Sequence, residues 1–219
     1  MSGKQKTLNS EDGLEPSIKL GMLAAVEQSS DVTQRKLAQE LGIALGLTNA
    51  YLKRLVKKGY IKALHAPANR YLYYLTPKGF TEKSSLTAEY LSQSFKFFRD
   101  ARQQCSDAFT ICTSKNWHNI VLCGAGDLTD IAILSAQEFN VKIVGVVDPN
   151  FTGSSLLDIP ALKSFKSLIE FEAAIVTDTR QPQKTFNYAS RYMPKKNIIA
   201  LPLLGLNTNI STQAEWYKR

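Results

Sequence analysis

Pro16 to Gln28 carries Ile18, Leu20, Leu23, Ala24 and Val26, mostly at helical spacing, with Pro16 in the first turn. Ser29-Ser30-Asp31 interrupts the pattern. Thr33 can then cap a short helix from Gln34 to Leu41, with Leu37, Ala38 and Leu41 facing inward and Gly42 as its stop. After the turn Ile43-Ala44-Leu45-Gly46, Thr48 is a second capping candidate. Asn49 to Lys58 reads as another helix, ended by Gly59. Leu52, Leu55 and Val56 share one face of it. Lys53, Arg54 and Lys57 occupy the other, with Asn49 one turn earlier. The chemistry then turns to strands. Tyr60 to Leu64 is strand-like, Ala66 to Asn69 is a turn, and Arg70 to Leu75 is rich in β-formers. Two short helices joined by a tight turn and followed by a hairpin predict a winged helix-turn-helix domain over residues 16–76. Residues 1–15 read as a disordered tail.

From Pro77 to about Thr113 there is little turn chemistry after Gly79. Leu86, Tyr90, Leu91, Phe95, Phe98, Ala101, Cys105 and Phe109 recur mostly at three- and four-residue steps. This predicts a long amphipathic connector over 77–115, with an apolar stripe suited to pairing two copies. Beyond it, Asn119 to Cys123 is a short continuous apolar run, as in a buried parallel strand. It leads into Gly124-Ala125-Gly126-Asp127, then a helix bearing Leu128, Ile131, Ala132, Leu134 and Phe139. A second strand, Lys142 to Val147, ends at Asp148. Ala173 to Asp178 and Asn197 to Leu201 read as two more strands, with a helix around Gln183 to Tyr192 between them. The fold class expected is an α+β winged helix domain followed by an α/β Rossmann-like parallel-sheet domain over 116–219, joined by a long helix. Those 104 residues are too few for a full six-stranded dinucleotide fold.

Charge sharpens this division. The net charge is +8, and residues 1–115 hold 17 Lys and Arg against 10 Asp and Glu, while residues 116–219 hold 10 against 9. Within 32–62, seven basic residues face Glu40 alone. A basic half joined to a near-neutral one points to a nucleic-acid module fused to something else. No apolar run approaches the roughly 18 residues of a membrane helix, and Met1 to Glu15 is polar, so a cytoplasmic protein with no membrane partner is expected. Cys105, Cys112 and Cys123 form no CxxC pair and have no histidine cluster beside them, which suits reduced thiols and argues against a zinc site. With only His65 and His118 and no Ser/His/Asp pattern, the chain offers no catalytic set, and an enzyme is not expected.

Two groups of residues carry candidate chemistry. The first is a face for double-stranded DNA. Arg35, Asn49, Lys53, Arg54 and Lys57 come from the helix-turn-helix, and Asn69 and Arg70 from the wing tip. Asn and Arg can read base edges, and lysines neutralise phosphates. The second is a nucleotide-type site of Gly124, Ala125, Gly126, Asp127, Asp148, Thr177 and Asp178. Glycines let the backbone turn and approach a phosphate at a helix N-terminus, and Asp148, 22 residues after Gly126, can accept ribose hydroxyls. Thr129 stands where the third glycine of a dinucleotide fingerprint would be. Asp127 can cap its own helix or repel a phosphate. The cofactor is left open between a nucleotide-sugar and NAD.

The Gln34-to-Gly42 helix, Tyr51-Leu52-Lys53-Arg54-Leu55-Val56-Lys57-Lys58-Gly59, and Tyr74-Leu75-Thr76-Pro77-Lys78-Gly79-Phe80-Thr81-Glu82-Lys83 running on to Leu86-Thr87 resemble MarR-type winged helix regulators. They are closest to the branch associated with exopolysaccharide gene clusters. Gly124-Ala125-Gly126, Val144 to Asp148, Gly153 and Ile159-Pro160 are similar to the Rossmann-like N-terminal domain of sugar O-acyltransferases. The overall plan also resembles Rex-type redox-sensing repressors. These resemblances imply a dimeric, DNA-binding transcriptional regulator of polysaccharide genes whose second domain senses a nucleotide or nucleotide-sugar. The alternatives are a Rex-like NAD(H) sensor and an enzyme with a DNA-binding appendage.

Overall fold

The computed structural model describes residues 15–67, 70–168 and 170–207. The expected tail up to residue 14, and the wing-tip residue Asn69, lie outside the described residues. The chain divides into two compact units, the first ending at Ser94 and the second beginning at Phe95.

The first unit contains helices α1 (Pro16–Gln28), α2 (Gln34–Glu40) and α3 (Leu45–Lys57), strands β1 (Ile61–Ala66) and β2 (Arg70–Leu75), and the start of α4 (Pro77–Ser114). Thr33 caps α2 as expected, its hydroxyl oxygen accepting from the Lys36 amide at 3.2 Å. Thr48 does not cap α3. The helix begins three residues earlier, at Leu45, and extended Ala44 is its N-cap. Thr48 is instead buried, with its hydroxyl donating to the Ala44 carbonyl at 3.2 Å. The first N–H groups of a helix need no partner within it, so the turn could start at unremarkable residues ahead of the threonine.

Met22, Leu23, Leu37, Leu52, Leu55, Ile61 and Tyr73 form one core between the three helices and the hairpin. The hairpin is antiparallel, with Ile61 opposite Leu75 and Ala66 opposite Arg70. It does not stand alone. The Tyr73 amide donates to the Ser30 carbonyl at 2.8 Å, and Gln34 Nε2 donates to the Tyr73 hydroxyl at 3.1 Å.

Leu75-Thr76-Pro77-Lys78-Gly79 then has a mechanical explanation. The Thr76 hydroxyl donates to the Gly59 carbonyl at 2.6 Å and accepts from the Gly79 amide at 3.0 Å, which caps α4 and ties it to the end of α3. Pro77 fits the first helical position. Gly79 is needed because a Cβ there would lie 2.0 Å from the Tyr60 carbonyl oxygen.

The second unit is built on strands β3 (Asn119–Cys123), β4 (Lys142–Val147), β5 (Ser155–Leu156), β6 (Ile159–Leu162), β7 (Ala173–Val176) and β8 (Ile198–Ala200), with helices α5 (Asp127–Ala136) and α6 (Pro182–Ala189). The strand order is β5-β6-β4-β3-β7-β8. The β6-β4-β3-β7-β8 portion is parallel, and β5 pairs antiparallel with β6. Numbered by chain order within the parallel set, this is 3-2-1-4-5, the Rossmann order. The sheet has one more parallel strand, β6, than the sequence pattern indicated. Ile159-Pro160-Ala161-Leu162 is short and half-buried, and it reaches β4 through the β5–β6 hairpin instead of a crossover helix, so neither period nor length announces it.

The sheet is covered on both faces. Ile120, Leu122, Ile175 and Ile199 pack with α5 and with Ala101, Cys105, Ala108, Phe109 and Cys112 of α4. Val121, Cys123, Ala174, Val176 and Ala200 pack with Phe165 and with Phe186 and Ala189 of α6. The apolar stripe of α4 therefore changes use along its length. Its C-terminal part is buried in the second unit's core, whereas Tyr90, Leu91, Phe95, Phe97 and Phe98 are exposed. Among the described residues no helix is long and apolar enough to cross a membrane.

Candidate nucleic-acid interface and a cavity at the sheet edge

On α3 the period of 3.6 separates two faces. Tyr51, Leu52 and Leu55 are buried, and Lys53, Arg54 and Lys57 are exposed. Asn49 is half-buried one turn before Lys53. These two residues border a hollow of about 260 Å³ with Gln34 of α2 and with Ala63, Tyr71 and Tyr73 of the wing. Arg35 is exposed on α2, and Arg70 is exposed where β2 begins. Arg70 and Lys36 both help to hold the Asp31 carboxyl below its ordinary value, after the larger effect of the Ser29 hydroxyl. The wing also presents Tyr71 and Tyr74 to solvent. Sequence reading passed over these tyrosines because strand formers are first taken as core.

In the second unit, the glycine loop after β3 meets the ends of β4 and β7. This is the switch point of the strand order, where the chain leaves in opposite directions and a crevice opens. Two neighbours hold the loop in place. The Cys123 carbonyl accepts from the amides of Thr177 and Asp178, at 2.9 and 3.0 Å, which ends β7 at Val176. A Cβ on Gly124 would lie 2.4 Å from the Asp178 side chain and 2.5 Å from its Cα, and φ there is +105°. The first glycine thus serves the approach of β3 to β7. Over Gly126, by contrast, there is open space.

Thr129 is buried, and its hydroxyl bonds the Gly124 carbonyl and the Thr177 hydroxyl. The Thr177 hydroxyl in turn donates to Gly124 at 2.9 Å. The position of the third glycine is therefore filled by a side chain that braces the loop from beneath.

The loop, β4 and α6 enclose a cavity of about 510 Å³, within the range typical of small-molecule sites. Gly124, Asp148 and Asp178 of the predicted set line it. They are joined by residues the sequence reading missed, namely Phe165, Arg180, Lys184, Thr185 and Tyr188. Asp127 borders a different hollow, of about 330 Å³, with Leu128, Thr179 and Pro182. Ala125 contributes its backbone, as described next, and Thr177 is committed to its buried hydrogen bonds.

Asp148 Oδ2 accepts from the Ala125 amide at 3.0 Å and from the Arg180 guanidinium at 2.6 Å, and Oδ1 accepts from the Asn150 amide at 2.8 Å. Asp178 accepts from the Arg180 amide, the Gln181 amide and the Thr185 hydroxyl. Burial pushes the Asp178 carboxyl up. The hydrogen bonds, led by Thr185, and the Arg180 charge outweigh that effect and hold it below its ordinary value. Arg180 lies two residues past Asp178, in the loop that follows β7. Loops following parallel strands at a switch point build such crevices, and that rule could have found it.

The residues present fit a nucleotide in part. Buried carboxylates suit ribose hydroxyls, and Lys184 and Arg180 suit phosphate oxygens, while Phe165, stacked on Tyr192, closes the apolar side.

Comparison with known proteins agrees with the first unit. Residues 17–62 match the family model described as winged helix-turn-helix DNA-binding. The chain is similar to a MarR family protein of Mycobacterium tuberculosis in complex with p-aminosalicylic acid. The identity is 18%, over 40% of this chain and 67% of that one, with a TM-score of 0.35. It is also similar to Streptococcus pneumoniae FabT in complex with DNA, with 23% identity, 36% and 57% coverage and a TM-score of 0.31. PigF with SAH is 13% identical over 91% of this chain and 78% of that one, with a TM-score of 0.32. The chain thus spans little more than half the length of FabT. No curated protein matches it. The class assigned by the fold is a winged helix-turn-helix unit followed by a Rossmann-order α/β unit, and it rests on the hairpin, the family model and the strand order.

Proposed function

We propose that the protein is a DNA-binding transcriptional regulator of MarR type whose α/β unit senses a nucleotide or nucleotide-sugar, acting on polysaccharide biosynthesis genes. The observation that carries the proposal is the pairing, in one chain, of a winged helix with a basic outer face on α3 and a Rossmann-order sheet with a cavity at its switch point. α3 would lie in a major groove, with Asn49 and Arg54 toward base edges, Lys53 and Lys57 toward phosphates, and Arg35, Asn69 and Arg70 contacting the flanking backbone or minor groove. The regulator acts as a homodimer in this reading. Tyr90, Leu91, Phe95 and Phe98 supply the apolar surface, and each would contribute about 1.5–3 kcal/mol when buried. Ligand binding would then shift operator affinity, for which a coupling of about 1–3 kcal/mol suffices.

A second reading, an NAD(H) sensor, is favoured by the position of Asp148 at the end of β4 beside the glycine loop. Calorimetry with UDP-sugars and NADH separates the two. The DNA-binding reading is tested by fluorescence anisotropy on duplex DNA with the Lys53→Ala/Arg54→Ala/Lys57→Ala variant. Arg54→Ala alone should cost about 1–3 kcal/mol on a cognate sequence. A folded triple variant that holds duplex DNA as tightly as the parent overturns it.

A further inference from the structure

Resting on the nucleotide reading of the cavity, we propose that Arg180 is a latch on Asp148 that makes the site select phosphorylated ligands over neutral nucleosides. The Asp148 side chain is 5% exposed and the Arg180 side chain 58%, so an open cation covers an enclosed carboxylate. Both acceptor positions of Oδ2 are taken, one by the Ala125 amide and one by the guanidinium. Oδ1 already holds the Asn150 amide. A carboxylate in this state cannot take two ribose hydroxyls until Arg180 leaves.

The guanidinium has three anchors at the cavity mouth. It lies 2.6 Å from Asp148, 3.6 Å from Asp178 Oδ1 and 3.5 Å from the Ala125 carbonyl. None of these requires movement of buried structure to release it. Asp178 keeps Thr185 and two amides without it. The release does strip Asp148 of its only described side-chain cation.

The exchange differs between ligands. A neutral nucleoside supplies hydroxyls to Asp148 but gives the guanidinium no replacement for the 2.6 Å bond it loses, leaving it only the longer 3.6 Å approach to Asp178. A nucleoside diphosphate supplies both, because its phosphate oxygens can take the freed guanidinium in the bidentate geometry that arginine favours. Lys184, on the same wall, adds a second cation to the phosphate end but does not touch Asp148. Removing Arg180 therefore changes nucleoside binding, whereas removing Lys184 does not.

The test is calorimetric titration of the full chain with uridine, UDP, adenosine and ADP, using the parent, Arg180→Ala and Lys184→Ala. The parent should bind at least one diphosphate about tenfold more tightly than its nucleoside. Arg180→Ala should bind that nucleoside more tightly than the parent does, and the diphosphate preference should shrink. Lys184→Ala should weaken the diphosphate and leave the nucleoside unchanged. A nucleoside that binds only after Arg180 is removed also supports the latch. If Arg180→Ala weakens nucleoside and diphosphate alike, or leaves the nucleoside unchanged while the parent binds diphosphate, the latch is overturned and the nucleotide reading stands. If no protein binds any of the four ligands, the nucleotide reading falls and the latch with it.

Discussion

Thr129 offers a direct measure of how the glycine loop is held. Its hydroxyl bonds the Gly124 carbonyl and the Thr177 hydroxyl, and its methyl is buried in the first turn of α5. Thr129→Val keeps the shape and removes the hydroxyl. The Gly124 carbonyl retains Thr177 as a donor, at 2.9 Å, so no buried group is orphaned. Two hydroxyl protons serve these groups in the parent and one remains in the variant, so the net loss is one hydrogen bond, about 0.5–1.5 kcal/mol. Thr129→Ser keeps the hydroxyl and loses one methyl, about 1 kcal/mol. Thr129→Gly restores the dinucleotide fingerprint in sequence, but it loses that bond and the methyl and adds about 0.5 kcal/mol for glycine in place of threonine in a helix, giving about 2–3 kcal/mol. Urea denaturation followed by tryptophan fluorescence isolates the effect. Trp117 packs against the second unit's core, and the sequence up to Ser94 contains no tryptophan. If Thr129→Gly is as stable as the parent, the brace is not structural and the threonine must be explained by something other than the loop.

Two further outcomes follow from buried groups. Lys19 is 3% exposed, bonds Glu82 at 2.6 Å and lies over the Tyr60 ring, so Glu82→Gln removes the negative charge from an ion pair made by a buried ammonium. Glu82→Gln should destabilise the first unit by about 2–3 kcal/mol in thermal melts followed by circular dichroism. Lys19→Met should stay within about 1 kcal/mol of the parent, and the reverse ranking would refute the argument. Burial raises the Cys105 and Cys112 thiols from 9.0 to about 12 and pushes Cys123 up as well. Their neutral forms are favoured in the folded chain, whereas an unfolded chain ionises them first. The second unit should therefore lose stability as pH rises from about 9 toward 12, and its thiols should resist a thiolate-selective reagent until it unfolds. Rapid labelling of the folded protein at pH 8 would contradict this.

The helices and the wing were legible because each is announced locally. Pro16 sets the first turn of α1, and Thr33 and Thr76 cap α2 and α4 through bonds to residues three positions on; only the start of α3, which has no side-chain cap, was placed too late. The glycine loop and its acid were legible for the same reason. The cavity's other walls were not. Arg180 reaches Asp148 across 32 positions of sequence, and Phe165 arrives on a three-residue turn with no period to read. The use of Thr129 also depends on Thr177, 48 positions away. The threonine at the third-glycine position does not announce its role locally, and the structure shows it bracing the turn through its hydroxyl. The apolar stripe of α4 was visible, but not that its parts answer to different surroundings.

The bond from Tyr73 to Ser30, with Gln34 on the Tyr73 hydroxyl, has a consequence for how this wing could be moved by evolution or by design. A two-stranded ribbon alone is marginal in water. Here its order is borrowed from the loop between α1 and α2, so the ribbon is not a portable part. Transplanted without that loop and Gln34, it would fray, while substitutions in the loop would be felt along the wing.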